Sequence, residues 1–420
     1  MHFYHCDTMT QKNFPALPLF DTLEFIKHQS FPVDYAGLSH AFIPDDFHQA
    51  RAFLISYNGN ATTFNAYRRE IERLLHWTWL IACKSVCDLR RSDIEAYLQF
   101  CQKPPETWIG LSKVPRFIEK DTARIPNPEW RPFVATVSKS DHRLGKEPDR
   151  HRYSLSSKAL REIFTVNSSF YNFLIQEEYT EVNPVQHVRQ KSRYFTKVQG
   201  KAQIRRLSPL QWHYVIETAA QMAASQPEKH QKTLFIMTAL YAMYLRISEL
   251  SASPRWTPLM RHFHRDQDGL WWFTVLGKGN KLREIAVSDN MLAALRVYRQ
   301  SLNLSPLPSA ADDSPLIPRQ NGKGPLTSIS YLRKIVQKCF DQTIERLRND
   351  GLEDEAVAML AVTVHWLRHT GISDDVKRRP REHVRDDAGH SSSAITDKYI
   401  DIELRERHAS AKKKPVRDDD

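Results

Sequence analysis

The sequence predicts a mainly α protein with a small β-hairpin in the second of two domains. Three observations carry this: the length, a series of apolar runs at helical spacing on both sides of a basic junction, and one pair of strand-like runs around a glycine turn. A chain of 420 residues is too long for one typical core and calls for two or three domains.

Residues 1–45 hold several prolines and aromatics with no sustained period, and read as an N-terminal arm. From Thr62 the period becomes helical: Phe64, Tyr67, Ile71, Leu74, Leu75 and Trp79 share one face, with Arg68, Arg69, Glu70 and Arg73 off it. A second helix is expected from Ser92, where Ser92 and Glu95 make a capping box ahead of Ile94, Tyr97, Leu98 and Cys101. A third runs from about Ser156 to Gln176, burying Leu160, Ile163, Phe164, Phe170, Phe173 and Leu174, and the unit closes near Asn183-Pro184. Residues 46–190 therefore form one helical domain, interrupted at about 103–150 by a connection rich in proline, tryptophan and arginine. So long a connection is either a packed surface loop or an added contact for a partner.

Residues 191–206 read as a basic interdomain linker. Together with its flank it carries Arg189, Lys191, Arg193, Lys197, Lys201, Arg205 and Arg206 without one acidic residue, a pattern suited to phosphate contact. The second domain, 207–407, opens at Ser208-Pro209-Leu210-Gln211, a cap with proline at the first helical position. Leu234 to Leu245 reads as a buried helix. Leu270 to Leu276 and Leu282 to Val287 read as a hairpin around Gly277-Lys278-Gly279-Asn280-Lys281. Residues 305–325, rich in serine and proline, are expected as a surface loop, Ser393 to Ile400 and 401–411 as short helices, and 408–420 as a charged tail.

Net charge is +11 and the pI about 9.3, which point to a polyanionic partner. The five cysteines (Cys6, Cys83, Cys87, Cys101 and Cys339) are scattered; Cys83 and Cys87, four apart, read as core packing rather than a zinc pair, and the set suits a reducing cytosol. The start lacks the basic-then-apolar pattern of a secretory leader, and the longest apolar run is too short to span a bilayer. The Gly277–Lys281 stretch lacks the spacing of a nucleotide-binding loop.

Chemistry concentrates in the second domain. Arg246 sits in Leu245-Arg246-Ile247-Ser248-Glu249-Leu250, directly after the buried helix, and Glu249 is three residues on, where it can orient Arg246 or a histidine. Lys278 occupies the hairpin turn, with Lys281 as its rival. His365 and Arg368 are three apart and share a helical face. His390 follows Gly389 and precedes three serines, and Tyr399 lies nine residues past His390. Guanidinium groups suit a phosphodiester, because they stay charged and present a planar fork of donors. A lysine beside two arginines is lowered toward a useful acidity, and can protonate a leaving oxygen. A tyrosine, with an ordinary pKa of about 10, becomes a competent nucleophile in a cationic pocket. His369, one turn from His365, reads as a structural hydrogen-bonding residue.

The ordered set Arg246, Lys278, His365, Arg368, His390 and Tyr399 resembles the tyrosine recombinase (phage integrase) family, strongly over about 205–407 and weakly over 50–190. The resemblance implies a two-domain clamp on double-stranded DNA, a helical core-binding domain followed by a catalytic domain. Cleavage would pass through a covalent 3′-phosphotyrosyl link at Tyr399, with His390 donating to the scissile phosphate and no metal or other cofactor. It further implies a homotetramer on two DNA sites, tied together by the segment after Tyr399, accessory DNA-binding proteins as a further class of partner, and a cytoplasmic, nucleoid-associated location away from any membrane. A type IB topoisomerase shares the catalytic residues; the helical 50–190 unit and the Gly-His to Tyr spacing favour the recombinase. An architectural factor without catalysis would be expected to have lost one of the six groups, and no stacking-sheet motif of an RNA-binding module is present.

Overall fold

The computed structural model describes residues 16–30, 40–120, 123–189, 205–277, 279–319, 322–390, 392–397 and 411–412. The chain divides into two compact units, Met1–Gly200 and Lys201–Asp420, so the division falls inside the basic stretch 191–206. Both are mainly helical and the second carries a small sheet, as the sequence predicts; the two small sheets of the first unit were not expected.

The first unit contains α1 (Ile43–Ser56), α2 (Ala61–Trp77), α3 (Arg91–Gln102), α4 (Lys139–Arg143), α5 (Ser157–Gln176) and α6 (Pro184–Arg189). The Asn60 side chain caps α2 by accepting the Thr62 and Thr63 N–H groups at 3.0 and 3.1 Å. Helix α3 begins one residue before the expected start, because Asp93 rather than Glu95 reaches back, accepting the Arg90 N–H at 2.8 Å. Phe47, Phe53, Phe64, Ile71, Leu74, Phe170 and Leu174 meet in one core. Asp46, buried within it, accepts from the Trp79 indole, Ser85 and Tyr179 hydroxyls and the Val86 N–H at 2.7 to 3.1 Å. Burial raises its pKa against those four bonds.

Two expectations for this unit need correction, and a third feature goes beyond what the period shows. Part of the supposed arm belongs to the core: Leu19, Phe20 and Ile26 are buried, and the Leu19 N–H donates to Glu72 at 2.7 Å. The polar side of α2 is covered as well, with Arg68 and Glu70 buried and Arg73 bound to Glu70 at 3.0 Å. Helical period reports only the apolar stripe; here distant segments pack on the polar one. Cys83 and Cys87 do not share a helical face, because α2 passes into a π turn that ends at Cys83 in the left-handed region (φ 52°), leaving Cys83 half-buried and Cys87 exposed.

The 103–150 connection folds onto the same core. Strand β1 (Ile109–Gly110) pairs in parallel with β4 (Phe133–Val134), enclosing the antiparallel hairpin β2 (Phe117–Lys120) and β3 (Ala123–Pro126). Trp108, Trp130 and Phe133 are buried. Arg116 binds Glu72 at 3.0 Å, and Arg124 grips both oxygens of Asp21 at 2.6 and 2.7 Å. The packed-loop alternative thus describes residues 106–135.

In the second unit, α7 (Pro209–Ser225) carries the expected capping box, with Ser208 and Gln211 exchanging hydrogen bonds at 3.0 and 3.1 Å. Helix α8 (Pro227–Ala242) is the buried element read at 234–245. The hairpin is present as β6 (Trp271–Leu276) and β7 (Leu282–Ala286), joined by β5 (Phe263–Arg265) into a three-stranded antiparallel sheet. Phe273 pairs with both Phe263 and Ile285, placing one apolar row against the core. Helices α9 (Asp289–Ser301), α10 (Ile329–Asn349), α11 (Glu353–Met359), α12 (Val364–Asp375), α13 (Arg381–Ala388) and α14 (Ser393–Thr396) follow. The 305–325 loop is pinned rather than loose: Leu316 and Ile317 are buried and Asp312 pairs with buried Arg299 at 2.7 Å. Helix α12 crosses the end of α8 at Gly371, where a Cβ would collide with the Tyr241 carbonyl. No described helix is long and apolar enough to cross a membrane.

Candidate active site

Arg246 is delivered by the turn that ends α8. Tyr244 adopts the left-handed region (φ 49°), the chain reverses, and Arg246 becomes the residue before a short 3-10 turn, Ile247–Leu250. Glu249 in that turn holds Arg246 twice, accepting its backbone N–H at 2.8 Å and its Nη1 at 2.9 Å. Of the two partners expected for Glu249, the structure gives it Arg246. Its buried carboxylate also receives a fork from Arg283 on β7, Nη1 to Oε1 at 2.9 Å and Nη2 to Oε2 at 2.8 Å. Burial pushes the Glu249 carboxyl up, but the bonds and charge of Arg283, joined by Arg246, bring it below its ordinary value.

Helix α12 supplies His365 and Arg368. The Arg368 guanidinium is buried, and its two terminal nitrogens donate to main-chain carbonyls, Nη1 to Tyr244 and Nη2 to Ala388 at 2.6 Å. It therefore ties the turn before Arg246 to the end of α13. The His365 ring meets His369 edge-on, centroids 4.3 Å apart. Burial, then the charges of Arg368 and Arg246, lower the His365 pKa. His369 is pushed down to about 4 by burial, His365, Arg368 and His390.

Helix α13 stops at Gly389, whose φ of 64° and whose crowding against Arg283 (a Cβ would lie 2.8 Å from Cδ) both call for glycine. His390 comes next, its Nδ1 sharing a hydrogen bond of 2.9 Å with the Thr396 hydroxyl of α14. Burial and the charges of Arg368, Arg246 and Arg283 push it down to about 4.

Five residues singled out in the sequence, Arg246, Glu249, His365, Arg368 and His390, are thus brought to one place, and the histidines feel the arginines' charges directly. Lys278 and Tyr399 lie outside the described residues, as do Lys191, Arg193, Lys197 and Lys201 and residues 401–410 of the helix expected after Tyr399. The helix expected from Ser393 to Ile400 is described over Ser393–Thr396. Arg189 ends α6; Arg205 is exposed and Arg206 half-buried. Sequence reasoning missed Arg283. Its signal was an arginine on the β7 face that also carries buried Ile285, where a charge requires a partner.

Guanidinium and imidazole groups gathered in this way suit the binding of a phosphodiester backbone. No family model matches the chain. It is 25% identical over 259 residues to the tyrosine recombinase XerC of Bacillus subtilis (strain 168), covering 60% of this chain and 73% of that protein. To the tyrosine recombinase XerC of Bradyrhizobium diazoefficiens it is 33% identical over 181 residues, 42% of this chain, and spans about half (48%) of that relative's length. A solved structure of the XerH site-specific recombinase on a palindromic difH substrate, in a post-cleavage complex, shares the fold, with a TM-score of 0.54 at 14% identity over 96% of this chain and 97% of that one. The chain is thus similar in sequence to two tyrosine recombinases and shares its fold with a site-specific recombinase.

Proposed function

We propose that Arg246, Lys278, His365, Arg368 and His390 hold one scissile phosphate of double-stranded DNA while Tyr399 attacks it. The Tyr399 oxygen forms a bond to phosphorus and the bond to the 5′ oxygen breaks, leaving a 3′-phosphotyrosyl link. Lys278 gives the departing oxygen its proton, and the phenolic proton passes to His365, which its lowered pKa keeps neutral and so free to take one. The two guanidinium groups and His390 meet the charge that gathers on the non-bridging oxygens. A second strand's 5′ hydroxyl then attacks the phosphotyrosine, releasing Tyr399 and restoring the phosphodiester without outside energy.

One observation carries this reading: three segments bring together Arg246, the α12 pair His365 and Arg368, and His390, with Arg368 tied to the carbonyls of Tyr244 and Ala388 beside the other two. The same reading takes the active assembly as four copies on two DNA sites, coupled through the segment after Tyr399, with accessory DNA-binding proteins joining them. It has the enzyme work in the cytoplasm on the nucleoid, in integration, excision or resolution of a DNA element. The basic stretch Arg189 to Arg206 contacts phosphates.

The test is covalent capture. Native protein incubated with a library of nicked duplexes should yield protein–DNA adducts at particular sequences. Tyr399→Phe should bind the recovered sites as before and give none, and adduct at native level from the Phe variant would rule out Tyr399 as nucleophile.

A further inference from the structure

Arg283 spends its guanidinium on two segments at once. Both terminal nitrogens go to Glu249, at 2.9 and 2.8 Å, and Nε donates to the Asp387 carbonyl at 3.0 Å. Glu249 is the residue that fixes Arg246, and Asp387 lies three residues before His390. The Asp387 carboxylate is itself held, by the Ala286 N–H at 3.2 Å and by Arg379 at 2.6 Å. Two glycines make room for the guanidinium, since a Cβ at Gly277 would lie 2.8 Å from Nη1 and one at Gly389 equally close to Cδ. Gly277 directly precedes Lys278, and Gly389 directly precedes His390. The arginine is thus wedged between Glu249, Gly277 and the Asp387–Gly389 turn.

We propose that Arg283 is a positioning residue for strand cleavage, setting Arg246, through Glu249, and the turn before His390, through the Asp387 carbonyl, in one frame around the phosphate. The proposal rests on the strand-cleaving reading given above. A buried fork of this kind can also serve the fold alone. The two roles separate when cleavage, binding and stability are read side by side.

Full-length protein, in excess over DNA sites recovered by covalent capture, is compared with Arg283→Lys, Arg283→Met, Glu249→Gln and the pair Arg283→Met with Glu249→Gln. Arg283→Lys keeps the charge and loses the fork. It should slow adduct formation about tenfold or more, since small misplacements cost heavily at a reacting centre, while site affinity stays within about twofold, the mark of a group that matters in the transition state. The paired variant should lose less than the product of the two single losses, because the two residues share the Arg246 branch of the frame. Adduct formation by Arg283→Lys at the native rate, or losses that multiply in the pair, would make Arg283 a strut of the fold and overturn the proposal. If Arg283→Met does not fold, the Lys variant decides. Native protein that gives no adduct removes the underlying reading and this inference together; native adduct with an unaffected Lys variant removes the inference alone.

Discussion

Arg368 donates through Nη2 to the carbonyl of Ala388 at 2.6 Å, two residues short of His390. Its other terminal nitrogen binds the Tyr244 carbonyl, two residues short of Arg246. One buried side chain therefore fixes the approach to two other site residues. Arg246 differs: its side chain is 28% exposed, and Glu249, which holds it, has a second cation in Arg283.

That difference predicts unequal effects of the same substitution. Arg246→Lys and Arg368→Lys should each slow cleavage on the order of 100-fold, because a point charge cannot replace a planar fork at a phosphate gathering charge. Only Arg368→Lys should also lower the melting temperature clearly. A single ammonium cannot span the Tyr244 and Ala388 carbonyls, and an unpaired buried carbonyl costs about 1–3 kcal/mol. Single-turnover cleavage and thermal unfolding of both variants check this; equal melting temperatures would mean that Arg368 is not the anchor described.

The histidines make stability depend on pH. His369 and His390 have folded pKa values of about 4, against an ordinary value of about 6.5. Between those limits the unfolded chain binds more protons than the folded one, so their stabilisation is present above pH 6.5 and lost as pH falls toward 4. The melting temperature should drop between pH 7 and pH 5, and drop less in the double variant His369→Gln with His390→Gln. His76 in the first unit, also lowered to about 4 by burial, contributes alike to both proteins. Equal pH dependence in the two would contradict the buried, cation-flanked setting of the site histidines.

Sequence pattern carried the helices and the hairpin because each is a local period: Phe64, Ile71 and Leu74 mark α2, and two apolar runs around Gly277–Lys281 mark β6 and β7. Arg246, His365, Arg368 and His390 were legible as a set, since their chemistry and order are unusual together. What stayed hidden came from packing between distant segments. Arg68 and Arg73 lie off the apolar stripe, yet Arg68 donates to the Asp21 carbonyl and Arg73 sits over the Phe133 ring of the 103–150 connection. Arg283 sits in a strand with its partner Glu249 far back in the chain, so spacing could not pair them. Strand β5 is three residues long, too short to show alternation.

The basic stretch between the units predicts a salt effect. Neutralising Lys191, Arg193, Lys197 and Lys201 together should weaken binding to all DNA sequences about equally. The slope of log affinity against log salt should become shallower by about 0.9 for each DNA phosphate that the variant no longer neutralises. Binding titrations over a series of salt concentrations measure this, and an unchanged slope would make the stretch a plain connector.

Glu72 supports the last prediction. Its buried carboxylate takes the Leu19 N–H at 2.7 Å through one oxygen and Arg116 at 3.0 Å through the other, and so joins the N-terminal segment and the 103–150 connection to α2. Glu72→Gln leaves the Arg116 guanidinium without its counter-charge, and breaking a buried ion pair on one side costs about 3–5 kcal/mol. Replacing both partners, Glu72→Leu with Arg116→Leu, removes the uncompensated charge and should restore much of that loss, though the Leu19 N–H stays without its acceptor. Denaturant unfolding of the single and double variants measures the difference. Limited proteolysis should show cuts near residues 16–30 and 106–135 appearing earlier in Glu72→Gln, because both segments lose the same anchor. A single variant as stable as the native protein, with no earlier cuts, would mean that these segments are held by apolar packing of Leu19, Phe20 and Trp108 and that the Glu72 bonds add nothing.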